Sequence, residues 1–229
     1  MSLEYSVHGA NTMKPIIFLH GGGMDSSVWN AHLTNFKNYQ CFLVDLPGHG
    51  KNSNEEYFSF DDSIMEIEKL IVEINNDSHQ KVNIVAHSLG AMLALHIIAK
   101  QNDAIASAII ASGNLKKALL YKIMASKSFL KLLNIFMKNK MDVDKASEIS
   151  KQVIAILYFP ETIGKVNTRV MFTQGSREPG FLKRSNRELH ERLKNSEIYT
   201  FRKSGHLYPF EEVSAFDSLC IGWIEYRPS

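Results

Sequence analysis

Lys81-Val82-Asn83-Ile84-Val85-Ala86-His87-Ser88-Leu89-Gly90-Ala91 changes character at its centre. Residues 81–86 are short and β-branched, the composition of a buried strand, and residues 91–100 have helical composition. A serine on the sharp turn between the two is pushed out of the sheet. Its hydroxyl then stands clear, and the N–H of Leu89 points to the same space at the start of the helix. Such a turn needs small neighbours, which Gly90 and Ala91 supply, while Ala86 stands where Gly-x-Ser-x-Gly has its first glycine. A serine at a strand-to-helix junction also serves simply as a helix cap, and this stretch alone leaves both readings open.

Strand and helix patterns alternate on both sides of Ser88. Residues 3–7, 16–19, 41–44, 104–111, 169–173 and 198–202 read as strands, and residues 28–36, 60–75 and 213–226 as helices. Ile64, Ile67, Leu70, Ile71 and Ile74 make a helical stripe. Alternation of this kind predicts a mostly parallel, doubly wound α/β sheet with helices on both faces. The pattern breaks once. Residues 115–124, 129–137 and 146–157 are helical with no strand among them. We therefore expect a core built from residues 1–113 and 166–229, with a helical lid insertion at 114–165 over the C-terminal edge of the sheet, where such sheets place their sites. Met124, Phe129, Leu132, Leu133, Phe136 and Met137 suit either plain packing or an apolar lid that shapes a pocket.

A chain of 229 residues, 45% of them hydrophobic, can bury one large core. Its formal net charge of +2, without runs of like charge, speaks against nucleic acid or an anionic membrane as partner. Residues 1–13 lack a basic-then-apolar leader, and no apolar run has membrane-spanning length. Cys41 and Cys220 fall in apolar patterns that suit buried free thiols. These features point to a soluble, cytoplasmic protein and leave its oligomeric state open.

Three further stretches fall at strand ends. His20-Gly21-Gly22-Gly23 follows residues 16–19, and its glycines let backbone N–H groups approach a ligand closely. An N–H of Gly22 or Gly23, together with that of Leu89, can bind a negatively charged oxygen. The same glycines, with Asp45 ending the next strand, also resemble a dinucleotide site. Against that, Ser26 stands at the third glycine position and Asp45 leads into Pro47-Gly48-His49-Gly50, a tight turn. Gly205-His206 follows the strand at 198–202, and of nine histidines His206 alone falls just beyond a sheet strand on the edge shared with Ser88. His20 is expected to brace its loop, and the side chain of His87 to leave the turn in another direction. Gly175-Ser176-Arg177-Glu178 follows residues 169–173. Glu178 suits either a carboxylate that orients a histidine or an exposed partner of Arg177 or Lys183.

In chain order these residues run nucleophile, acid, histidine. With Trp29, the segment 45–50 and Ser53, they resemble the α/β-hydrolase superfamily over residues 16–216. The resemblance implies Ser88 as nucleophile, His206 as base and Glu178 as acid. It also implies an oxyanion hole from the backbone of Gly22 and Leu89, with Gly23 a further donor. The departures are Ala86 at the elbow, Glu178 for the more frequent aspartate, Val213 for a proline, and a shortened first strand pair.

The resulting expectation is a serine hydrolase that cleaves a carboxylic ester of a small-to-medium apolar molecule through an acyl-enzyme, with no organic cofactor and no metal. C–C bond hydrolysis or lysis, or thioester cleavage, uses the same triad, and only the pocket separates them. The serine argues against branches of the superfamily with an aspartate nucleophile. A ligand-binding or signalling protein with little turnover is the alternative of a different class.

Overall fold

The computed structural model describes residues 3–52, 59–100, 102–115, 126–128, 131 and 143–226. The chain divides into two compact units, one of residues 1–114 and 160–229 and one of residues 115–159. In the first unit seven strands form one sheet: β1 (Tyr5–His8), β2 (Lys14–Leu19), β3 (Tyr39–Val44), β4 (Val82–His87), β5 (Ile105–Ala111), β6 (Arg169–Gly175) and β7 (Ser196–Phe201). Their order is β1-β3-β2-β4-β5-β6-β7. Only β1 runs antiparallel to its neighbour, and β2 to β7 are parallel throughout. The α/β sheet expected from the alternating pattern is present.

Period-two alternation decides which residue meets which layer. Ile16, Phe18, Leu43, Val85, Ile109 and Met171 face a cluster completed by Trp29, Phe36, Phe216 and Trp223. These partners come from the segment after β2 and from α6 (Val213–Glu225). Residues of opposite parity face α1 (Phe60–Ser78) and α2 (Leu89–Lys100): Ile110 packs beside Gly113, close to Ala91 and Leu95. All of α2 except Lys100 is buried, which is why its sequence is apolar on every face. Helix α1 begins at a capping box in which Ser59 accepts from Asp62 N–H and Asp62 accepts from Ser59 N–H.

One helix differs from its sequence pattern. Residues 28–36 were expected to form a helix, and the chain instead makes a short 3-10 helix, Ser26–His32, followed by turns. Asp25 starts it by accepting from Ser27 N–H, and Asn35 spends its side chain on Asp217. Asp217 also holds His32 at 2.5 Å, so tertiary hydrogen bonds take the place of a further helical turn.

In the second unit α3 (Val143–Ala155) is a helix where residues 146–157 were read as one. The helices expected at 115–124 and 129–137, and Ser53, lie outside the described residues apart from Leu115 and Lys131. Among the described residues the remaining α-helices are α4 (Gly180–Arg192) and the short α5 (Tyr208–Glu211). Among the described residues no helix is long and apolar enough to cross a membrane.

Strand order also places the site. From β2 the chain moves outward to β3 on one side and then returns to β4 on the other. The C-terminal ends of β2 and β4 therefore border a topological switch point, the crevice at which open α/β sheets bind ligands. The segment 20–23 leaves β2 there, and Ser88 leaves β4.

Candidate active site

Ser88 links β4 directly to α2 and takes a left-handed backbone, φ 51°. A non-glycine residue held there costs about 1–2 kcal/mol, so the surrounding contacts must impose it. Ser88 N–H donates to Ala111 O at 2.8 Å, and Gly90 N–H donates to His20 O at 3.0 Å. Gly90 tolerates no side chain, because a Cβ there would stand 2.6 Å from Leu19 O. That close approach lets the start of α2 press against the end of β2. Leu89 N–H, between these two donors, has no backbone acceptor among the described residues. It belongs to the first helical turn, whose N–H groups have no partner inside the helix.

Three loops bring their groups together here. His206 follows β7 in a loop, and its Nε2 accepts from the Ser88 hydroxyl at 3.0 Å. Its Nδ1–H donates to Glu178 Oε1 at 2.6 Å. The Glu178 side chain is fully buried, whereas that of His206 is 40% exposed, so the acid lies behind the histidine and the serine end stays open. Glu178 Oε2 accepts Gly175 N–H at 2.9 Å, and Glu178 N–H donates to Gly175 O at 3.1 Å. The carboxylate is thus pinned on its own turn, and it pairs with neither Arg177 nor Lys183. Arg177 N–H donates to Ser204 O, and Ser204 bonds Glu212, which ties the acid loop to the histidine loop.

The glycine loop lies beside the elbow. A Cβ on Gly22 would meet Leu89 Cδ2 at 3.6 Å, and Gly23 has φ 76° with no described atom within 4 Å of its Cβ position. Gly22 therefore lies against Leu89, and Gly21 lies beside Ser88, whose Cβ would stand 3.3 Å from a Cβ added there. His20 braces this loop as its sequence context suggested: Nδ1–H donates to Gly21 O at 2.8 Å and Nε2 accepts Leu46 N–H at 3.0 Å. Burial pushes its pKa down to about 4, which keeps it neutral and fixes these roles.

Asp45 is not free to meet a ribose. Its carboxylate accepts Ser26 N–H at 2.7 Å and Lys51 N–H at 3.1 Å. Burial disfavours its charge, but these N–H groups outweigh burial and hold the carboxyl below its ordinary range. Asp45 joins the loops after β2 and β3, and the dinucleotide alternative loses its acid. Among the described residues, no group of three or more His, Cys, Asp or Glu side chains is placed to hold a metal ion.

His87 is the residue that sequence reasoning missed. Its side chain does not leave the site: Nε2–H donates to the carbonyl oxygen of His206 at 2.9 Å, and the two rings lie 4.8 Å apart. The only signal in the sequence was a polar residue at a strand position that packing buries completely.

The model of the alpha/beta hydrolase family matches residues 16–189, three quarters of the chain. The chain belongs to the alpha/beta hydrolase family. Over 83 residues it is 35% identical to the pimeloyl-(acyl-carrier protein) methyl ester esterase of Wigglesworthia glossinidia brevipalpis, a match covering 36% of this chain and 29% of that protein. Over 107 residues it is 27% identical to the 2-succinyl-6-hydroxy-2,4-cyclohexadiene-1-carboxylate synthase of Escherichia coli, covering 47% of this chain and 41% of that one. Both alignments thus span less than half of the curated relative. The likeness to solved structures runs the full length. MGS-M2, an alpha/beta hydrolase enzyme from a Medee basin deep-sea metagenome library, superposes with a TM-score of 0.83 at 19% identity, covering 99% of this chain and 95% of that one. The alpha/beta hydrolase fold and family are thereby established for this chain, and its relatives include ester-cleaving enzymes.

Proposed function

We propose that this alpha/beta hydrolase is a serine carboxylesterase acting on small-to-medium apolar esters through an acyl-enzyme. One observation carries the proposal: Glu178, His206 and Ser88 stand in a continuous hydrogen-bonded line, 2.6 Å and then 3.0 Å, with its serine end at the mouth of the switch-point crevice. In the reaction, Ser88 Oγ attacks the ester carbonyl carbon while His206 Nε2 takes its proton. Glu178 stabilises the imidazolium without becoming protonated. The oxyanion is received by Leu89 N–H and Gly22 N–H, with Gly23 as a further donor, each donor worth roughly 10²–10³ in rate. His206 returns the proton to the leaving alcohol. It then deprotonates a water that attacks the acyl carbon, releasing the acid and restoring Ser88. The reaction needs no cofactor or metal. A cytoplasmic location suits the two buried free thiols, Cys41 and Cys220.

The test is hydrolysis of p-nitrophenyl esters, with short-to-medium chains preferred, alongside labelling by a fluorophosphonate probe. Both are expected to vanish in Ser88→Ala, and activity surviving that change overturns the proposal. A second reading, C–C bond cleavage on the same residues, is favoured by the similarity to the cyclohexadiene carboxylate synthase. Turnover of a β-diketone with inert esters would select it. A binding protein with little turnover would show ligand affinity without labelling.

A further inference from the structure

We propose that His87 is a positioning residue that holds His206 against Ser88, an inference that rests on the serine-hydrolase reading above. The elbow grips the histidine at two points through consecutive residues. Ser88 bonds the imidazole Nε2 at 3.0 Å, and His87 donates to the backbone carbonyl of the same residue at 2.9 Å. These are the contacts of residues 118 and 119 positions apart in sequence, so they set where the loop after β7 comes to rest. The loop needs such a hold. His206 lies outside the sheet, its neighbour Leu207 is 42% exposed, and its carbonyl has no backbone donor among the described residues.

The ring of His87 is itself clamped. It is fully buried, stands edge-on to Phe210 at 5.2 Å and packs on the His206 ring at 4.8 Å. Its Nδ1 has no hydrogen-bond partner among the described residues, and a Cβ on Gly21 would stand 2.9 Å from that atom. An unpaired buried nitrogen works against stability, so packing alone would be served better by an apolar residue of similar size. What an apolar residue cannot supply is the Nε2–H donor. Neutrality matters too, because the imidazolium that forms on His206 then faces an uncharged ring and not a second cation.

Two variants separate positioning from packing. His87→Leu removes the donor and the unpaired nitrogen together, and His87→Gln keeps an N–H donor of similar reach. In His87→Leu, kcat on a p-nitrophenyl ester is expected to fall about tenfold, the rate equivalent of one net hydrogen bond. KM should stay within about twofold and the melting temperature should hold or rise, because the loss lies in the transition state and not in binding or folding. His87→Gln is expected to recover most of the lost kcat. Unchanged kcat in His87→Leu overturns the proposal, as does a parallel loss of kcat and melting temperature that Gln fails to restore. Fluorophosphonate labelling keeps the two levels apart. If wild type is labelled, Ser88→Ala is not, and His87→Leu is labelled at the wild-type rate, then only the positioning role falls. If wild type is not labelled, the serine-hydrolase reading falls and the role of His87 with it.

Discussion

Glu178 and His206 are joined by a 2.6 Å hydrogen bond in which the acid is completely buried and the histidine is not. The extra methylene of glutamate is absorbed by a turn, because the other carboxylate oxygen folds back onto Gly175 N–H. One oxygen anchors the side chain and the other faces the imidazole. Glu178→Gln keeps the size and the anchor but removes the charge that favours the imidazolium. A loss in kcat on the order of 10³–10⁴ is expected from steady-state kinetics, with little change in melting temperature. Glu178→Asp cannot span both partners and is expected to lose at least tenfold.

Ser88, the proposed nucleophile, also carries backbone strain. Its φ of 51° suits glycine better than any residue with a Cβ. Ser88→Gly should be inactive yet more stable by about 1 kcal/mol, measured by urea denaturation. A less stable glycine variant would mean that the hydroxyl contributes more to folding than the backbone costs.

Asp45 tests whether the loops after β2 and β3 act as one unit. Asp45→Ala leaves the N–H groups of Ser26 and Lys51 without their acceptor. A destabilisation of about 2–4 kcal/mol is expected in chemical denaturation. The proposed esterase activity should fall with it, since the same loop carries Gly22.

Stability should depend on pH through the buried histidines. The pKa of His20 is pushed down to about 4 and that of His87 to about 3, chiefly by burial. Both groups are neutral in the folded protein while their unfolded counterparts protonate near pH 6.5. The unfolded state therefore binds more protons below that pH, and stability falls as pH drops from about 6.5 toward 4. At pH 5 the two together remove about 4 kcal/mol relative to pH 8. In His87→Leu, the slope of unfolding free energy against pH between 5 and 6 should shrink by about one proton. An unchanged slope would show that His87 is not held neutral.

Much of the fold was legible in the chain because burial writes its own period. Strands buried on both faces become continuous apolar runs, as in residues 16–19 and 108–111, and α2 is buried nearly all round. The failure at residues 28–36 has the opposite cause: local helical composition yielded to bonds from Asp217, some 180 residues away.

The sequence by itself determined the order of strands and helices, the sharp turn at Ser88, and the chain order of serine, acid and histidine, since these depend on local composition and spacing. Only the tertiary structure decided which way the side chains point. It closed the Glu178–His206–Ser88 line, engaged Asp45 with backbone N–H groups, and turned His87 toward His206. The physical reason is reach. A hydrogen bond acts over about 3 Å, and residues 28 to 119 positions apart come that close only once the parallel sheet has set its strand ends side by side.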